Sequence, residues 1–96
     1  MSDKQELDQL FDTIRHLINA WCDRRCLRAL RAVLRGYPMT SPLTDGWDEL
    51  LLALIDVRAF ARDELTQSER AFVDQCIATI ERVMPPTRRR AGPETA

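Results

Sequence analysis

The 96-residue sequence predicts an all-α fold, a compact antiparallel four-helix bundle followed by a disordered C-terminal tail. Three observations predict it. Apolar residues recur at steps of three and four along every long segment and nowhere alternate. Those segments contain no proline, and the chain has only three glycines. The prolines and most small hydroxyl residues fall between or after the periodic stretches, where helices must stop. With 45% apolar and 30% charged residues, the composition is that of a globular protein rather than a disordered one. The length suits one core. Residues 1–84 are expected to form a single bundle domain and 85–96 a Pro/Arg tail.

The first helix is expected from about Asp3 to Trp21. Leu7, Leu10, Phe11, Ile14, Leu17, Ile18 and Trp21 fall along one stripe, and Asp3, Glu6 and Asp8 suit the positive end of its dipole. The stripe then slips phase, because the next apolar set is Cys26, Leu27, Leu30, Val33 and Leu34. A kink or tight corner near Cys22–Asp23, with Asp23 as N-cap, explains the slip. A short second helix then runs to Arg35, its buried side supplied by Leu27, Leu30 and Leu34. Gly36 fits a left-handed C-cap, and Pro38 prevents resumption.

Residues 37–44 read as a loop that packs back through Tyr37, Met39 and Leu43. The third helix starts at Thr44 or Asp45 and runs to about Arg62 through Trp47, Leu50, Leu51, Leu54, Val57, Phe60 and Ala61. Leu52 and Ile55 lie off that stripe and widen the apolar face, as in a central helix or one with a second partner. Thr66–Gln67–Ser68–Glu69 is a capping box. It opens a fourth helix with Phe72, Val73, Cys76, Ile77, Ile80, Val83 and Met84 on one side. Pro85–Pro86 ends that helix.

Catalysis and metal binding find little support. Cys22, Cys26 and Cys76 with His16 lack the spacing of a structural zinc set, and the cysteines read as small apolar side chains. His16, the one histidine, has no acid beside it and no nucleophile at a suggestive offset. The carboxylates Asp8 and Asp12, Asp45, Asp48 and Glu49, and Asp63 and Glu64 sit near helix ends, where capping and dipole effects account for them. Gly36, Gly46 and Gly92 are isolated, so no phosphate loop is formed. The expectation is a non-enzyme without cofactor or metal.

The net charge of −1 gives no whole-molecule attraction for nucleic acid or an anionic membrane. Thirteen of the fourteen basic residues are arginine, a bias that a GC-rich bacterial genome produces without functional pressure. No run reaches the ~20 apolar residues of a membrane span, and no signal segment is visible at the start. The cysteines are therefore expected reduced in the cytoplasm.

One asymmetric feature remains. Arg24, Arg28, Arg31 and Arg35 step by 4, 3 and 4 and form an arginine edge on the second helix, with Arg25 nearby. Such an edge can dock on a protein, grip phosphates with help from Arg88–Arg90, or pair with the chain's own acids. The expected role is that of a small cytoplasmic protein-binding module, an adaptor, regulator or inhibitor, with these four arginines as the partner-binding residues. A nucleic-acid-associated protein and a homodimer closed through Leu52 and Ile55 are the alternatives.

Overall fold

The computed structural model describes residues 3–37 and 44–84. Four α-helices occur among them: α1 (Asp3–Arg24), α2 (Leu27–Val33), α3 (Thr44–Phe60) and α4 (Gln67–Val83). A 3₁₀ turn, Arg62–Glu64, connects α3 to α4. No strand occurs among the described residues, and the chain is all-α. Most of the expected loop, with Met39 and Leu43, and the whole 85–96 tail lie outside the described residues.

The helices pack in a cycle, with α1 and α3 each set against both α2 and α4. Between α1 and α4, Glu6 meets Arg82 and Arg24 meets Glu69. Across α2 and the α3 side, Arg28 meets Asp63 and Arg35 meets Asp56. In both cases residue numbers rise on one side as they fall on the other. Ile14, Leu17 and Trp21 of α1 form the centre of the core with Val33, Leu50, Leu54, Val57, Val73 and Ile80. Phe11 packs against Tyr37 and Trp47, with ring centroids 6.3 and 5.7 Å apart.

The corner between α1 and α2 falls later than the phase slip suggests. Asp23 lies inside the last turn of α1 and does not cap α2. Instead α1 closes with a Schellman motif: the Arg25 N–H donates to the Cys22 carbonyl at 3.2 Å and the Cys26 N–H to the Trp21 carbonyl at 2.8 Å. Arg25 holds the left-handed position that glycine usually fills there, with φ of 58°. Cys26 precedes α2 and offers it no side-chain cap. The missing cap comes from elsewhere in the chain, since Glu64 Oε1 accepts the Ala29 N–H at 2.9 Å.

The face that α2 buries also differs from expectation. Ala29, Ala32 and Val33 face inward with Cys26, Leu30 is half-buried, and Leu27 and Leu34 are exposed. Small residues bring the α2 backbone close to α3, which a leucine face would hold away. Gly36 belongs to the same close approach. Its φ is not positive, so it is no left-handed cap. A Cβ placed on it would lie 2.5 Å from the Glu49 carbonyl oxygen and 2.7 Å from the Leu50 Cα.

On α3, Trp47, Leu50, Leu51, Ala53, Leu54 and Val57 are buried. Phe60, expected in that stripe, is exposed because the helix ends there and Ala61 takes the inward position. Residue Phe72 of α4 is likewise partly exposed, while Val73, Cys76, Ile77, Ile80 and Val83 are buried. The capping box forms as expected. Glu69 N–H donates to Thr66 Oγ1 at 3.1 Å and Thr66 N–H to Glu69 Oε1 at 3.0 Å.

Two substitutions test this account of the corners. Arg25→Gly removes a left-handed side-chain penalty of roughly 1–2 kcal/mol and regains some unfolded-chain entropy. A net stabilisation of roughly 0.5–1 kcal/mol is expected in urea denaturation; a loss of stability would mean that the Arg25 side chain anchors the corner. Gly36→Ala should cost roughly 1–3 kcal/mol, because its nearest neighbours are backbone atoms that cannot rotate away. An unchanged denaturation midpoint would show that α2 and α3 are not this close in solution.

Candidate functional site

The four arginines expected to form one edge fall into four different environments. Arg24 closes α1 and turns toward α4, where Nη1 and Nη2 donate to Glu69 Oε2 and Oε1 at 2.7 and 2.6 Å. Its Nη2 also reaches the Glu64 carbonyl at 3.2 Å. This is the two-pronged guanidinium–carboxylate geometry that fixes direction as well as charge. On α2, Arg28 donates to Asp63 Oδ2 at 2.6 Å and to the Phe60 carbonyl at 3.3 Å, with Glu64 at 3.4 Å. Beyond the end of α2, Arg35 stands 3.6 Å from Asp56. Arg31 makes no ion pair among the described residues.

The electrostatics follow from these contacts. The Arg24 guanidinium holds the Glu69 carboxyl down at about 2, against the opposing effect of burial, with the Thr66 N–H assisting. The buried Trp21 indole N–H falls short of full hydrogen-bond geometry yet lies near enough to favour the same carboxylate. Arg28 likewise lowers the Asp63 carboxyl below its usual range. Burial pushes the Cys76 thiol up to about 12, so it stays protonated at neutral pH. Cys26 Sγ donates to the Glu64 carbonyl at 3.5 Å, whereas Cys22 and His16 are exposed. Among the described residues no three His, Cys, Asp or Glu side chains are grouped to hold a metal ion.

The apolar side chains left outside the core were not legible as surface in the sequence. Leu27 and Leu34 share the outer side of α2, seven residues apart, with Arg31 between them; they are 69% and 53% exposed. Phe60 and Leu52 of α3 are 71% and 60% exposed. Contacts of Arg28 and Arg35 relate the two elements. Arg28, next to Leu27, bonds the Phe60 carbonyl, and Arg35, next to Leu34, lines an open groove with Leu52, Ala53, Glu49 and Asp56. Ile55, expected to extend this face, is half-buried against the core. No helix among the described residues is long and apolar enough to cross a membrane.

The Glu69 site carries a pH signature. Its folded pKa lies below the ordinary 4.5, so its stabilisation is complete above about pH 4.5 and is lost as pH falls through about 2. The shift corresponds to roughly 3 kcal/mol, which solvent reaching Arg24 screens to about 2. Glu69→Gln should therefore lower stability at pH 7 by about that amount and flatten the decline between pH 4.5 and 2. A wild-type acid limb that survives this substitution would place the linkage in another carboxylate.

No protein-family model matches this chain, and no curated protein or solved structure is significantly similar to it.

Proposed function

We propose that the chain is a small, cytoplasmic, non-enzymatic protein-binding module whose docking surface is the outer side of α2 with the adjoining edge of α3. The observation that carries this reading is the pair Leu27 and Leu34, exposed on either side of Arg31 on a helix that buries its small residues instead. On neighbouring α3, Leu52 and Phe60 are exposed as well. Phenylalanine and arginine are enriched at protein interfaces, here as Phe60 and Arg31, and exposed apolar area favours a partner over a plain monomer surface.

Partner chemistry follows from Arg31. Its neighbours Arg28 and Arg35 already have carboxylates, so the unanswered charge sits in the middle of the apolar area. A complementary segment is an amphipathic helix carrying apolar side chains at i, i+3, i+4 and i+7 with one Asp or Glu among them. Nucleic acid is a poorer occupant, because Arg24, Arg28 and Arg35 would have to abandon internal acids to contact phosphates.

Selection of helical peptides from a display library against the whole protein tests the proposal. Enriched sequences should show that apolar spacing with an acidic residue, and Arg31→Glu should switch the preference to Lys or Arg. The double substitution Leu27→Ser, Leu34→Ser should weaken the selected peptides at least about tenfold, while stability changes by no more than ~0.5 kcal/mol. Light scattering that finds a dimer abolished by the same pair would replace the proposal with self-association. Duplex DNA bound with a steep salt dependence would replace it with the nucleic-acid reading.

A further inference from the structure

Around the turn from α3 to α4 the charges are sorted by sign. The acids of the segment face α1 and α2: Asp63 and Glu64 meet Arg28, Glu64 also caps Ala29, and Glu69 holds Arg24. On the α3–α4 side, Arg58 from the last turn of α3, Arg62 from the 3₁₀ turn and Arg70 from α4 line a cavity of about 90 Å³. Leu65 and Val73, both buried, form its apolar lining, and Asp74 is the one carboxylate on it.

The three guanidiniums are differently committed. Arg70 Nε donates to the Arg62 carbonyl at 3.2 Å, which orients the plane and leaves its other donors available. Arg58 Nη1 is 3.4 Å from Asp74 Oδ1, with both side chains at least half exposed, a long pair that a stronger anion can displace. Arg62 has no acceptor for its guanidinium among the described residues. On the lining, three positive charges against one negative leave an excess of two, offset only in part by Asp63, whose carboxylate interacts with Arg70 through its charge.

We propose that Arg58, Arg62 and Arg70 form a binding site for a phosphomonoester group. Such a group carries about −1.5 to −2 charge at neutral pH with three acceptor oxygens, which matches both the charge excess and the number of guanidiniums. Arginine forks suit phosphate oxygens in pairs. The cavity has room for roughly three water-sized groups. It therefore takes the phosphoryl group itself, and the rest of the ligand stays outside.

Titration of the full-length protein with phenyl phosphate, followed by amide and arginine Nε–H NMR shifts, tests this. Saturable shifts centred on residues 58–74 are expected, with benzoate and benzenesulfonate at least about tenfold weaker because they are monoanions. Arg62→Gln should weaken phenyl phosphate on the order of tenfold, as one charge-assisted hydrogen bond is lost. Its fold should be intact, since the side chain makes no ion pair. Asp74→Asn should tighten binding by freeing Arg58, and Lys4→Gln, at the start of α1, should leave it unchanged. Equal binding of phosphoserine and a phosphoserine heptapeptide assigns the site to free phosphorylated compounds. Tighter binding of the peptide assigns it to phosphorylated protein segments. Absence of saturation, equal response to benzenesulfonate, or an unaffected Arg62→Gln variant would overturn the proposal. So would an oligonucleotide lacking terminal phosphate that binds at residues 58–74 as tightly as phenyl phosphate.

Discussion

Glu69 accepts both forks of Arg24 and the N–H of Thr66 while its own N–H is capped by Thr66 Oγ1. Through these bonds the last turn of α1 is fixed to the first turn of α4. A buried carboxylate without such partners would cost several kcal/mol, so burial of Glu69 demands that Arg24 arrive at that point in that direction. The helix α1 must then continue past Trp21 to carry Arg24, and the chain must reverse at once to begin α2. That places Arg25 in the left-handed region, and the local penalty is tolerated because the ion pair and the buried Trp21 over-determine the corner.

The second constraint is distance. With Gly36 against the Glu49 carbonyl and Ala29, Ala32 and Val33 inward, α2 lies close to α3, and Leu27 and Leu34 are forced outward. A seven-residue helix has too few turns to sustain itself. It is held by tertiary contacts: Glu64 on the Ala29 N–H, Arg28 on the 3₁₀ turn, and Arg35 on Asp56. The exposed Leu27 and Leu34 are thus not misplaced core residues but a consequence of which side can approach.

These two constraints mark what could be read beforehand. The stripe of α1 and the Thr66–Glu69 box involve residues within one or two turns of each other, so local periodicity and local hydrogen bonding determine them. The face of α2 could not be read this way. It is apolar on both sides, with alanines and valine on one and leucines on the other, and periodicity does not choose between them. The choice is made by Gly36, just past the end of α2, through its close approach to the backbone of Glu49 and Leu50 in α3. Phe60 fails for a related reason: one residue beyond, Ala61 leaves the helical path and occupies the inward place.

The charged residues show the same limit. Spacing of 4, 3 and 4 made Arg24, Arg28, Arg31 and Arg35 look like one edge, but that geometry assumes a continuous helix, and Arg24 lies before the Schellman reversal. Conversely, Arg58, Arg62 and Arg70 have no common helix and no sequence signature, because the end of α3, the 3₁₀ turn and the start of α4 each contribute one. The turn divides them. Asp63 and Glu64 are drawn to Arg28 on one side, which leaves Arg62 facing the other without an internal acid. A net charge of −1 hides this division, since Asp63, Glu64 and Glu69 hydrogen-bond on the α1–α2 side and only Asp74 lines the pocket between α3 and α4, with Asp63 reaching Arg70 through its charge alone.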